Sequence, residues 1–186
     1  MRIELIRHGR TEGNLEMRYV GRTDEPLTFS GIAELMKIDY PTCGTLITSP
    51  MKRCIQTAEL IYPNNVPVIC EKLSECDFGD FEGRNYIELS MDSRYQRWID
   101  SGGKAPFPNG ESPDDFKRRS IEGFLESIEA VPDGGKATFV VHGGTIMAIM
   151  EHFAVPSRSY YDWHISNGHG LITEYDGSKI VVLGEI

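Results

Sequence analysis

Apolar positions along the chain alternate between short continuous runs and longer helical spacings. Ile3-Glu4-Leu5-Ile6 reads as a strand that stops at Arg7-His8-Gly9, and the following segment, Arg10 to Asp24, is too rich in Gly, Asn, Thr and charge for a core. After Pro26-Leu27, Ile32, Leu35, Met36 and Ile38 share one helix face, with Thr28 as N-cap. Leu46-Ile47-Thr48 predicts a second strand. It runs into Ser49-Pro50, a capping serine followed by proline at the first helical position, and the helix beyond aligns Met51, Ile55, Ala58 and Ile61 while Arg53 faces away from that stripe. Val66 to Cys70 reads as a third strand.

Residues 84–116 have no sustained period and are broken by Gly102-Gly103, Pro106 and Pro108. Ser112-Pro113-Asp114-Asp115 then opens a helix running to about Ala130, stopped by Pro132-Asp133-Gly134-Gly135. Ala137 to Val141 is an almost wholly apolar strand ending at His142-Gly143-Gly144, with a helix from about Thr145 to Phe153 after it. Leu171–Tyr175 and Ile180–Leu183 close the chain as two strands joined at Asp176-Gly177. Strands alternating with helices predict a three-layer α/β/α sandwich with a mainly parallel central sheet, in one domain over residues 1–186, with residues 84–116 as an irregular cap. Such sheets bind ligands at the carboxyl ends of their strands. Arg7-His8, Arg53 and His142 all fall there.

Composition narrows the function classes. With 19 Lys+Arg against 28 Asp+Glu the net charge is -9, which argues against a nucleic-acid or anionic-membrane partner. No apolar stretch is long enough for a secretory signal or a membrane span, and Cys43, Cys54, Cys70 and Cys76 form no CxxC pair; both features predict a cytoplasmic protein with reduced thiols. No His/Asp cluster has metal-ligand spacing, so no metal or cofactor is expected. Cysteine-phosphatase chemistry needs Arg six positions after Cys, and none of the four has it; a P-loop needs Gly-Lys-Ser/Thr, and Gly135-Lys136 is followed by Ala137.

Two histidines and two arginines at strand ends suit phosphoryl transfer. A neutral imidazole can attack phosphorus, and planar guanidinium forks stabilise charge spread over the phosphoryl oxygens. An acid must protonate the leaving alkoxide, and Leu73–Gly83 supplies Glu75, Asp77, Asp80 and Glu82 among apolar residues.

These segments together resemble the histidine phosphatase superfamily, also called phosphoglycerate-mutase-like. The resemblance is carried by Leu5-Ile6-Arg7-His8-Gly9-Arg10-Thr11-Glu12-Gly13-Asn14, by Thr48–Ala58, by Leu73–Gly83 and by Val141-His142-Gly143-Gly144. Gly21–Thr28 and Gly110-Glu111-Ser112 add to it, so the match spans about residues 3–150. It implies His8 as nucleophile, Glu75 as acid and then base, and Arg7, Arg53, His142, Asn14 and the Gly143 N–H as the phosphate pocket. It implies a metal-independent phosphomonoesterase working through a phosphohistidine, without cofactor, as a monomer or homodimer. Its substrate is a small phosphorylated metabolite, with α-ribazole 5′-phosphate a candidate. The alternatives are a phosphoglycerate-type mutase, which needs longer insertions around its site, and a silent phospho-ligand-binding protein. Arg10 stands where the family commonly has Glu or Gln. Arg10, Arg22 and Thr23 are candidate substrate contacts; Glu111 is a second candidate acid or a helix-capping residue. Trp98 and Tyr95 are candidates to line a cap, and His152, His164 and His169 read as structural.

Overall fold

The computed structural model describes every residue except Asp133. Six strands form one sheet in the order β3-β2-β4-β1-β5-β6: β1 Arg2–Arg7, β2 Thr45–Thr48, β3 Val68–Ile69, β4 Lys136–Val141, β5 Gly170–Tyr175 and β6 Ile180–Glu185. The first four named run parallel, and β5 and β6 add an antiparallel edge. Side-chain alternation splits the two faces. Leu5, Ile47, Phe139 and Val141 pack against helices α6 (Pro113–Glu129) and α7 (Gly143–Phe153), while Ile6, Leu46 and Val140 pack against Cys54, Ala58 and Tyr62 around α3 (Lys52–Ile61). The result is the three-layer sandwich the pattern predicts. Both β1 and β4 are central, so their carboxyl ends, Arg7-His8 and His142, emerge side by side; Arg7 pairs with Val141 in the register.

Several elements differ from the sequence reading. The third strand shrinks to two exposed residues, because Pro67 gives the ladder no N–H and the strand lies at the sheet edge. Ser49 does not cap α3, which starts at Lys52 behind Met51; the Ser49 hydroxyl instead lies 2.7 Å from His142 Nε2. The buried side of α3 is Arg53, Cys54, Thr57 and Ala58, so it presents polar groups to the sheet end while Met51, Ile55 and Ile61 are only half-buried. The helix after Thr28 is short, α2 Phe29–Leu35, leaving Met36 exposed and Ile38 outside it. α7 begins at Gly143 with His142 as N-cap, one half-turn before Thr145. The stop after α6 includes Asp133, which lies outside the described residues.

The cap is more ordered than its sequence suggests. It holds α4 (Tyr86–Leu89) and α5 (Ser93–Asp100), capped by Asn85 and Asp92, and a short α1 (Glu12–Leu15) adjoins α4, the α1 C-cap Glu16 O accepting from Asn85 Nδ2 at 3.3 Å. Phe81, Leu89, Tyr95, Phe107 and Phe116 form a separate apolar cluster there, with Tyr19, Phe78 and Trp98 on its flank. Tyr95 is therefore core to the cap. Among the described residues no helix is long and apolar enough to cross a membrane.

Candidate active site

His8 sits directly past β1, buried at 3% exposure, with its backbone N–H donated to Val141 O. Its Nδ1 lies 2.7 Å from Gly9 O. A carbonyl only accepts, so Nδ1 carries the proton and Nε2 keeps its lone pair. Burial, and then the charges of Arg53 and Arg7, hold this imidazole well below its ordinary pKa; the bond to Gly9 opposes them weakly. His8 is thus a neutral imidazole with a free nitrogen. His142 is likewise buried and held low, first by desolvation and then by Arg53 and His8; the two rings meet edge-on at 5.2 Å.

The two arginines beside them are unusual in what they lack. Arg53 is 1% exposed and donates to Thr23 O at 2.9 Å, Gly21 O at 2.9 Å and Val20 O at 3.3 Å. Arg7 donates to Ile165 O at 2.8 Å, with His164 Nε2 at 3.4 Å. Among the described residues neither guanidinium has a carboxylate within 4.0 Å, and the Nε–H of each is buried without a partner. A buried cation left with only carbonyl acceptors is costly, and an incoming dianion relieves it. Backbone amides at the start of α7 complete an anion-favouring corner, since Gly143 packs so close that a Cβ there would lie 3.2 Å from Arg7 Nε.

The acidic stretch resolves by what each carboxylate is bonded to. Asp77 pairs with Arg22, Asp80 with Arg94 and Asn109, and Glu82 accepts from the Gly21 and Arg22 amides and the Thr23 hydroxyl. Glu75 alone points inward, accepting one backbone N–H, from Cys76 at 2.9 Å. Burial pushes its carboxyl pKa up, against that bond and against Arg53, Arg7 and Arg119. A carboxyl so placed can hold a proton nearer neutral pH and give it up in a reaction.

The remaining sequence candidates are distributed as follows. Asn14 Oδ1 accepts from Thr11 N and Asn167 Nδ2, which leaves its own amide N–H groups to the cavity it lines with Arg7 and Arg10. Arg10 lies at that mouth but pairs with Glu34 at 3.2 Å. Arg22 is largely exposed and paired with Asp77, and Thr23 serves the site through its carbonyl on Arg53. Glu111 does not cap α6; Ser112 does, and Glu111 is bonded to Arg119. Cys54 lies 3.6 Å from His142 Nε2, but burial pushes its thiol up to about 12, which keeps it protonated and unreactive.

A pocket of about 600 Å³ opens from Arg7, Glu75, Gly143 and Gly144. Its walls are Tyr19, Phe78, Trp98, Phe107, Phe116, Met147, Tyr160 and Tyr161, so Trp98 does line the cap side. Tyr160, His164 and Arg119 were not singled out as site residues from the sequence. Tyr160 and His164 follow α7 with no periodic signal, and only proximity to Arg7 and to Gly144, whose carbonyl the Tyr160 hydroxyl bonds, reveals them. Among the described residues no group of three His, Cys, Asp or Glu is placed to hold a metal ion.

The family model of the histidine phosphatase superfamily (branch 1) matches residues 3–184. The adenosylcobalamin/alpha-ribazole phosphatase of Salmonella typhimurium is 29% identical over 177 residues, covering 90% of this chain and 87% of that protein. A 2,3-bisphosphoglycerate-dependent phosphoglycerate mutase 2 of Gloeobacter violaceus is 35% identical over 164 residues, covering 78% and 72%. Among solved structures, a putative alpha-ribazole-5'-P phosphatase from Escherichia coli superposes with a TM-score of 0.86 over 98% of this chain and 94% of that one, at 23% identity, a likeness of fold.

Proposed function

The chain belongs to the histidine phosphatase superfamily and is a phosphatase, and on that premise we propose that it hydrolyses phosphomonoesters through a phosphohistidine at His8 Nε2. The observation that carries this reading is the pair of guanidiniums, half-buried Arg7 and fully buried Arg53, each with a buried, unspent Nε–H and no carboxylate, beside a neutral imidazole. In the first step the His8 Nε2 lone pair forms the N–P bond as the ester P–O bond breaks, and protonated Glu75 gives its proton to the leaving oxygen. Arg7, Arg53, Asn14, His142 and the Gly143 N–H hold the phosphoryl oxygens. In the second step a water attacks phosphorus, the Glu75 carboxylate takes its proton, and the P–N bond breaks to release phosphate and neutral His8.

Hydrolysis is favoured over phosphoryl transfer between glycerates by the pocket wall. A phosphoglycerate carries a second anionic group that needs fixed cations beyond the first phosphate. Here the wall is largely aromatic, Lys117 is already bonded to Glu151 at 2.6 Å, and among the described residues Lys104 is the one lining lysine without a carboxylate partner. That wall suits a substrate with a bulky, largely apolar alcohol, and α-ribazole 5′-phosphate is the candidate we put forward. The test is a phosphomonoester panel with α-ribazole 5′-phosphate and 3-phosphoglycerate included, scored by phosphate release and by an acid-labile phosphoenzyme. We expect His8→Ala to lose both signals; hydrolysis retained in that variant would refute the mechanism. Intermolecular transfer between glycerates exceeding phosphate release would instead assign a mutase.

A further inference from the structure

A guanidinium has five N–H donors. Arg119, on the second turn of α6, spends all of them on protein. Its Nε and one Nη2–H grip Glu111 at 3.0 and 2.8 Å, its Nη1 donates to Lys72 O at 2.7 Å and Ser74 O at 2.9 Å, and Nη2 reaches Glu75 O at 3.4 Å. This is the reverse of Arg7 and Arg53, which each keep a buried Nε–H free. Arg119 therefore has nothing left for a substrate, yet three carbonyls of the four-residue segment ending at Glu75 converge on it. The second anchor is equally specific. Glu111 N donates to Asp77 O at 2.9 Å, and Gly110 lies so close that a Cβ would sit 2.5 Å from Asp77 O. Gly110-Glu111-Ser112 thus clamps both sides of the acidic loop: glycine for the approach, glutamate for Arg119, serine to cap the helix carrying Arg119.

We infer that Arg119, held by Glu111, is a positioning residue that fixes the Glu75 carboxyl for proton transfer. The inference rests on the reading of Glu75 as the acid. The charged and titratable groups facing Glu75 are Arg7 from β1, Arg53 and Cys54 from α3, Arg119 from α6, Tyr160 beyond α7 and the adjoining Cys76. Arg7 and Arg53 are pinned independently, so changes at Arg119 alter one positive neighbour only. Removing that charge disfavours the carboxylate and raises the Glu75 pKa; neutralising Glu111 leaves Arg119 less compensated and lowers it.

The test compares Arg119→Lys, Arg119→Met, Glu111→Gln and Glu75→Gln on an alkyl phosphate and on p-nitrophenyl phosphate, whose leaving group departs without a proton. General acid catalysis is worth roughly 10²–10⁴-fold, and kcat/KM reports only the step that expels the alcohol, so Arg119→Met is expected to lose about 10–100-fold in kcat/KM on the alkyl ester and under about threefold on the aryl ester. The basic limb of the kcat/KM profile moves up in Arg119→Met and down in Glu111→Gln, while Arg119→Lys loses rate without moving it. Turnover of the aryl ester in the same preparation reports that each variant is folded. Equal losses on both esters with unmoved limbs would mean a purely structural clamp and overturn the inference. If Glu75→Gln itself shows no leaving-group selectivity, the acid assignment fails and the inference falls with it; selectivity in Glu75→Gln without it in the Arg119 variants overturns the inference alone.

Discussion

Replacing Gly144 by alanine separates stability from catalysis with one carbon atom. Gly144 is the second residue of α7, and a Cβ there would lie 2.7 Å from Glu75 Oε1 and 3.0 Å from Phe116 Cζ, against an ordinary contact that begins near 3.4 Å. The carboxylate must therefore retreat by about 0.7 Å or rotate, losing its alignment with the Cys76 N–H and the leaving oxygen. On stability, two effects oppose. Alanine is favoured over glycine in a helix by up to about 1 kcal/mol. Crowding Phe116 costs roughly 1–3 kcal/mol. The net loss of about 0–2 kcal/mol corresponds to a Tm drop of at most about 8 °C for a domain of this size. On catalysis there is no compensation, because a misplacement near 1 Å costs on the order of 10²-fold. The expected outcome is a folded protein with kcat on alkyl phosphates down about 10–100-fold. Differential scanning calorimetry alongside steady-state kinetics reads both quantities. A well-folded Gly144→Ala variant with undiminished kcat would show that the Glu75 carboxyl does not work from this position.

Two further outcomes follow from the buried histidines and arginines. His8 and His142 have folded pKa values pushed below their ordinary 6.5, so between the folded values and 6.5 the unfolded chain binds more protons and stability rises with pH. Glu75, raised above 4.5, works the opposite way: its contribution is present below 4.5 and fades as pH climbs through its folded value. With two histidines against one carboxyl, Tm should rise from pH 5 to 7, and His142→Asn should flatten that rise; a profile unchanged in the variant would contradict the neutral buried state. Saturating inorganic phosphate at about 100 times its Kd should stabilise the protein by about 2.7 kcal/mol. Arg53→Lys, which loses the planar fork, should weaken that stabilisation in a thermal-shift titration, and full retention would count against Arg53 as a phosphate ligand.

The sequence carried the sheet and the strand-end chemistry because both are local. Leu5-Ile6-Arg7-His8 and Val140-Val141-His142 each put a reactive residue one step past an apolar run, and parallel pairing of β1 with β4 does the rest. Composition and spacing alone did not separate Glu75 from Asp77, Asp80 and Glu82; the family resemblance singled it out, and the physical reason, that it alone lacks an arginine or amide cluster, is visible only in the structure. Ser49 misled for the same reason: its capping signature is real, but a buried histidine at 2.7 Å competes for the hydroxyl. The cap was illegible because α4 is four residues long and α5 eight, too short for a helical period, and their burial depends on Tyr19, Phe81 and Phe107 from elsewhere. Arg119 and His164 carry no local signal at all.

Net charge was the least informative figure, and the site explains why. Residues 1–53 hold 8 Lys+Arg and 7 Asp+Glu, a net of +1, and residues 54–186 hold 11 and 21, a net of -10. Yet the division that matters is not between halves of the chain but between spent and unspent donors. Arg18, Arg22 and Arg94 are each matched to a carboxylate near the surface, where such pairs present little field to a ligand, and Arg119 is matched to Glu111. Arg7, half-buried, and Arg53, fully buried, are matched to carbonyl oxygens and, for Arg7, to the His164 ring, with no carboxylate partner, where charge is less well screened. On the proposed reading, a single phosphoryl group that reaches His8 meets two arginines, Arg7 and Arg53, that no carboxylate compensates. If phosphate binds there as proposed, the unspent donors of those two residues outweigh the net charge of the chain, and an acidic protein loses nothing by its acidity.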